Sequence, residues 1–93
     1  MAIAFLFDNP DGSQEQYDAV RGRLDISDDV PPEGGIIHVA GPSPTGGWRV
    51  FEVWESREAQ KKFTEEQLAP LFKEVGINRP EPQTWEVHSI VKR

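Results

Sequence analysis

The chain opens on an almost unbroken apolar run from residue 2 to residue 8, closed by the turn cluster Asn9, Pro10, Asp11 and Gly12. Apolar side chains at consecutive rather than alternate positions suit a strand covered on both faces, and so a central place in a sheet. Ser13 followed by Gln16 has the form of a capping box, in which the hydroxyl accepts from an early helical amide and Gln16 can reach back to the cap. Tyr17, Val20 and Leu24 then recur at helical spacing, with Glu15, Asp18, Arg21 and Arg23 on the other side, which predicts a helix with one covered face. Gly22 weakens that helix modestly. Residues 28–34 carry Asp28, Asp29 and two prolines, so neither helix nor sheet continues through them and an exposed connection is expected.

Two β-rich runs follow, residues 35–41 and 48–55, joined by the Pro- and Gly-rich residues 42–47; this is the pattern of an antiparallel hairpin with a long, mobile tip. Ser56 caps a second helix whose apolar positions are Ala59, Phe63, Leu68, Leu71, Phe72 and Val75. Pro70 is expected to break that helix into two pieces, and Gly76 to stop it in the left-handed conformation with Ile77 making the accompanying apolar contact. After Asn78, Arg79 and Pro80, residues 81–92 alternate Trp85, Val87, Ser89 and Val91 against Thr84, Glu86, His88 and Ile90, the period of a strand. The order is βαββαβ, an α+β fold, in a single domain spanning residues 1–93.

The hairpin sorts its residues by face. With its loop centred near Pro44 and Thr45, Ile36 pairs with Trp54, His38 with Glu52 and Ala40 with Val50. Ile37, Val39, Phe51 and Val53 then share the opposite side. That set is uniformly apolar and is expected to pack on the two helices, leaving His38, Glu52 and Trp54 for a pocket or a subunit interface. His88 shares its alternation with Thr84 and Glu86 and joins the same polar face if the last strand is turned that way.

Composition narrows the function classes. Ten basic and sixteen acidic residues give a net charge of −6, and the basic pairs Lys61–Lys62 and Lys92–Arg93 are isolated, so nucleic acid and anionic lipid surfaces are poor partners. The first apolar run is too short for a membrane span and lacks the basic flank of a signal peptide. No cysteine is present, which removes thiol catalysis, zinc–thiolate sites and disulfides and suits a reducing, cytoplasmic setting. Two distant histidines without HExxH spacing or an EF-hand loop give no metal site, and no GxSxG, GxGxxG or phosphate-loop motif appears. A domain of this length buries only roughly 60–65% of its unfolded surface, which makes a second copy a natural source of further burial.

The chemistry that remains is acid–base. A histidine beside a carboxylate in a half-buried site is suited to general-base work, because the carboxylate orients the ring and stabilises the imidazolium; His38 and Glu52 are therefore the catalytic candidates. An ordinary cross-strand pair at an interface is the competing reading of the same two residues. Trp48 and Trp54 offer flat stacking surfaces with one donor each, and the Tyr17 hydroxyl can donate into a helix-to-sheet cavity; with His88 they form the candidate substrate-binding set, although the aromatic residues are expected to serve packing first.

The βαββαβ order, the Gly46–Gly47 entry into the strand Trp48, Arg49, Val50, Phe51, Glu52, Val53, Trp54, and the strand-to-helix junction running through Glu55, Ser56, Arg57, Glu58 and Ala59 resemble the antibiotic-biosynthesis-monooxygenase-like dimeric α/β barrels. The resemblance spans nearly the whole chain. It implies a ferredoxin-like four-stranded antiparallel sheet, a homodimer in which two such sheets face each other, and a cavity in each subunit for a small hydrophobic or aromatic ligand. Some relatives oxidise polycyclic aromatic phenols with molecular oxygen and no cofactor, which implies a cofactor-independent monooxygenase-like oxidoreductase acting on aromatic or polyketide-like substrates. The haem-degrading branch carries a tryptophan and a histidine on the second long helix; residues 57–75 here hold neither, so haem turnover is not expected. A non-catalytic ligand-binding or stress-response-type dimer of the same architecture is the alternative.

Overall fold

A computed structural model describes residues 1–24 and 30–93. The opening apolar run is strand β1, Ile3–Asn9; helix α1 is Gln14–Arg21; strands β2, Gly35–Pro42, and β3, Trp48–Trp54, form the hairpin. A long helical stretch follows as α2, Arg57–Phe63, a π-helical turn, Thr64–Leu68, and α3, Ala69–Val75, before strand β4, Gln83–Glu86. The four strands make one antiparallel sheet in the order β2-β3-β1-β4, with helices on one face, an α+β fold compatible with a ferredoxin-like arrangement. β1 is central, as its unbroken apolar run predicts, and Ile3, Ala4, Phe5 and Phe7 are all buried.

Local signals account for the element ends. Ser13 Oγ accepts from the Gln16 amide at 3.2 Å and Ser56 Oγ from the Ala59 amide at 3.1 Å, so both helices begin at the expected hydroxyl caps. Gly76 ends α3 in the left-handed region at φ 82°, with the amides of Gly76 and Ile77 both donating to the Phe72 carbonyl, and Ile77 packs on the core. Gly47, at φ 83°, lies so close to the backbone of Asn9 and Pro10 that a Cβ there would collide with it, which ties the hairpin tip to the end of β1. No helix among the described residues is long and apolar enough to cross a membrane.

Pro70 does not split the second helix. The chain passes without interruption from α2 through the π-helical turn into α3, and the Ala69 amide bonds to the Thr64 carbonyl across the wider turn. A π turn just before a proline absorbs the missing amide bond while keeping the axis continuous. The last strand is also shorter than residues 81–92. β4 pairs with β1 from Leu6–Gln83 to Ile3–Glu86, and β1 begins at Ile3; beyond it the Val87 amide still donates to the Ala2 carbonyl. Alternation without a neighbouring strand makes no ladder. Asp28 and Asp29, at the start of the expected connection, lie outside the described residues.

The assignment of faces is reversed. His38–Glu52 and Ala40–Val50 pair as expected, but Trp54 lies opposite Gly35 rather than Ile36 because β2 carries an irregularity between Gly35 and Ile37. β1 pairs Ile3 with Trp54, Phe5 with Glu52 and Phe7 with Val50, and these side chains face the helices. The core is Ile3, Phe5, Phe7, Val20, Trp54, Phe63 and Leu68, with Trp54 and Phe63 rings 5.4 Å apart. Val39, Phe51 and Val53 belong to the other face, which carries no helix among the described residues; Val53 is nonetheless buried there, beside Ala4 of β1. The polar residues of the hairpin therefore point into the protein, and its apolar set points away from the helices.

Candidate functional site

The face that Glu52 shares with the core is not solidly filled. Between the sheet and α1, α2 and α3 lies a cavity of about 280 Å³, bordered by Tyr17, His38, Trp48, Glu52, Trp54 and Arg79 among other, mostly apolar, side chains. Its size falls just below the usual range of roughly 300–1,000 Å³ for small-molecule pockets, so it suits a compact ligand. β3 supplies Glu52 and Trp54, β2 supplies His38, α1 supplies Tyr17, and the loop after α3 supplies Arg79.

Glu52 is the hub. Its side chain is 5% exposed, and a bare carboxylate at that depth would be strongly disfavoured. Three donors compensate: Trp54 Nε1 at 3.1 Å and Arg79 Nη2 at 3.5 Å on Oε1, and His38 Nδ1 at 3.3 Å from Oε2. Burial pushes the Glu52 carboxyl up, but His38, Arg79 and Trp54 outweigh it and hold the group below its ordinary value, so it is ionised at neutral pH. The pairing of i and i+2 on one strand puts Trp54 beside Glu52 on the same face, so the indole fills core with its ring and anchors the carboxylate with its N–H.

His38 links the buried carboxylate to the cavity. With Glu52 facing Nδ1, its other nitrogen, Nε2, lies 2.8 Å from the Tyr17 hydroxyl. The imidazole is 36% exposed, far more open than Glu52. Tyr17 in turn lies against Trp48, ring centroids 5.5 Å apart, and against the His38 ring at 6.0 Å. Trp48 Nε1 is buried and has no hydrogen-bond partner among the described residues.

Arg79 is the residue that sequence reasoning missed. Its side chain is 18% exposed; its guanidinium carbon sits 3.8 Å from the Phe7 ring centroid and 5.6 Å from that of Phe72, and Nη1 donates to Thr64 Oγ1 at 3.0 Å. Burial lowers the Arg79 pKa and Glu52 opposes that, leaving a cation paired to the carboxylate and sandwiched by aromatic faces. Thr64 reaches it from the first position of the π-helical turn, so the irregularity before Pro70 helps form the site. The only sequence signal is an arginine between Asn78 and Pro80 in a turn, too common to single out.

The expected site residues are thus gathered, with one exception. Tyr17, His38, Trp48, Glu52 and Trp54 all border the cavity, whereas His88 lies past the end of β4, exposed, and outside the lining. Among the described residues no three His, Cys, Asp or Glu side chains come together in a group that would hold a metal ion.

Fold and site together define a small α+β protein with a buried, charge-compensated acid–base cluster opening on an apolar cavity. No protein-family model matches the chain, and no curated protein matches its sequence.

Proposed function

We propose that this protein is a homodimeric, cytoplasmic small-molecule enzyme of the cofactor-independent monooxygenase kind, acting on hydroxylated aromatic or polyketide-like substrates. The observation that carries the proposal is the chain Glu52–His38–Tyr17: an ionised, buried carboxylate backs an imidazole whose far nitrogen is coupled to a hydroxyl at the wall of an apolar cavity. Such a cluster removes a proton from a weakly acidic aromatic and stabilises the resulting anion in a water-poor site. An electron-rich carbanion of this type reacts with molecular oxygen; where the reacting carbon bears two hydrogens, one oxygen atom becomes the carbonyl and the other leaves as water. Trp48 and Trp54 flank the space in which a planar substrate would lie.

The dimer part of the proposal is supported by the face without helices. Val39 is 57% and Trp85 45% exposed, and Phe51 lies against Trp85 with ring centroids 6.0 Å apart. A contiguous apolar surface of this kind on a small domain fits association with a second copy.

Oxygen uptake with a panel of hydroxylated polycyclic aromatics is the test. The wild-type protein should consume oxygen, and His38→Ala and Glu52→Gln should slow it by about 10²–10⁴-fold, the usual contribution of a general base. Ligand binding without oxygen consumption by any member of the panel would overturn the enzyme reading in favour of a ligand-binding dimer.

A further inference from the structure

We infer that Arg79 anchors a carboxylate on the ligand, so that the cavity takes hydroxy-aromatic acids; the inference deepens the small-molecule reading above and rests on it. A guanidinium carries five N–H donors in one plane. Thr64 Oγ1 takes one of them at 3.0 Å, and Glu52 Oε1 approaches another at 3.5 Å, longer than the roughly 2.7–2.9 Å of a closed charge-assisted bond. The pair near the end of the ladder shows such closure in this protein: Arg49 holds Asp8 with two bonds, at 2.6 and 3.1 Å. Glu52 is differently committed. Its Oε1 accepts from Trp54 and its Oε2 faces His38, so turning it to meet Arg79 in a two-bond pair would break one of those contacts. Arg79 therefore keeps donors with no acceptor among the described residues, beside an apolar cavity that it borders.

The setting selects the class of ligand. Phe7 covers the flat face of the guanidinium at 3.8 Å, so the unused donors lie along its edge, where a planar carboxylate accepts two parallel N–H bonds. A neutral carbonyl offers one oxygen and no charge and is the weaker partner. The titratable groups bordering the cavity are Tyr17 and Arg21 of α1, His38 of β2, Glu52 of β3 and Arg79. Glu52 is thus the only acid among the described residues there, and its charge is compensated, so a second carboxylate meets no unpaired negative charge. In a chain of net charge −6 this is a local arrangement and not a consequence of composition. Trp48 and Val50 share a face of β3 with Glu52 and also border the cavity, which gives rings tied at Arg79 an apolar wall to lie along. The anchor makes and breaks no covalent bond; it positions the ring system for the acid–base pair His38 and Glu52.

6-Hydroxy-2-naphthoic acid and its methyl ester test the anchor without any turnover, because they share rings and hydroxyl and differ by one negative charge at about pH 7. Titrated calorimetrically into the full-length protein, the acid should bind about tenfold tighter than the ester, or more. Arg79→Lys keeps the charge but not the planar fork, and should reduce that ratio to about threefold or less. Glu52→Gln combined with Arg79→Gln removes both charges together, leaves neither ion without its partner, and should abolish the preference. The ratio of two affinities in one protein is not moved by a smaller folded fraction, so a merely destabilised variant still reads true. Equal or tighter binding of the ester by the wild type would overturn the anchor and leave the enzyme reading to its own oxygen test. A preference for the acid that survives either substitution would also overturn it. Acid binding of the expected kind with no oxygen consumed by any panel aromatic would uphold the anchor and sink the enzyme reading alone. Failure of the acid, the ester and every panel aromatic to bind would overturn both.

Discussion

The two faces of the sheet invert the usual division of labour. The covered face combines Ile3, Phe5, Phe7 and Trp54 with a buried carboxylate, whereas the uncovered face presents Val39, Phe51 and Trp85, with its clearest charged contact, Asp8–Arg49, near one end of the ladder. Apolar residues alone do not tell which face is inside. What distinguishes the inner face is that its buried charge is compensated: Glu52 has three donors from three separate elements, and the apolar side chains around it strengthen each of those contacts. The outer face has exposed apolar area and no such network. The first is therefore expected to be sensitive to single polar changes, and the second to be nearly indifferent within one subunit at exposed positions such as Val39, though not at Ala4 and Val53, which are buried.

Removing the hub should have the largest effect. Glu52→Ala leaves Arg79 buried without its carboxylate and Trp54 Nε1 without an acceptor, and is expected to lower unfolding stability by about 3–5 kcal/mol in a urea titration. A loss smaller than about 1 kcal/mol would mean that the cavity admits enough water to replace the carboxylate. Acid should act on the same group. The Glu52 carboxyl is held below its ordinary value in the folded protein, despite burial, by His38, Arg79 and Trp54. Over the interval between that lowered value and the ordinary one, the unfolded chain binds more protons, so stability present at neutral pH is lost as pH falls through it. Glu52→Gln should flatten the stability–pH curve across this acid interval; an unchanged slope would assign the acid sensitivity to other carboxylates.

Arg79→Lys asks how much of the inner network is geometry rather than charge. Lysine keeps the cation but not the planar group that lies over Phe7 and Phe72 while donating to Thr64. The expected loss is about 1–3 kcal/mol, measured by urea unfolding, with the Glu52 carboxyl resonance still titrating below the usual carboxylate range in carbon NMR. A lysine variant as stable as the wild type would show that charge alone holds the cluster.

These contrasts also explain what could be read from the sequence. The central strand, the two serine caps, the Gly76 stop and the His38–Glu52 register were legible because each depends on a local rule of spacing or turn chemistry. The face was not. Register sets which residues are paired, but which side meets the helices is decided by β1 and the helices together, and a change of side moves every residue of a strand at once. The ordinary rule that polar side chains face outward then selected the wrong side, because it does not count donors arriving from elsewhere in the chain. Arg79 shows the same limit: it lies in a turn without periodicity, and its partners come from β1, β3 and the helical stretch, so nothing in its neighbourhood signals its place. Residues 87–92 alternate like a strand but have no β1 residues left to pair with.

The outer face gives the smallest expected change in the subunit and the clearest one in assembly. Val39 is 57% exposed on β2, so Val39→Lys removes no core contact and should leave monomer stability within about 0.5 kcal/mol. If two copies meet through this face, the same substitution buries a charge without a partner at the interface, a penalty large enough to shift a dimer toward monomer. Light scattering and sedimentation across a concentration series separate the two effects. Wild-type protein should behave as a dimer and Val39→Lys as a monomer, with any hydroxylated polycyclic aromatic that the wild type binds still bound, because the cavity lies on the other side of the sheet. A wild-type monomer throughout the series would remove the dimer from the proposal. A dimer untouched by Val39→Lys would place the interface elsewhere, and would leave the exposed Val39 and Trp85 as ordinary apolar surface.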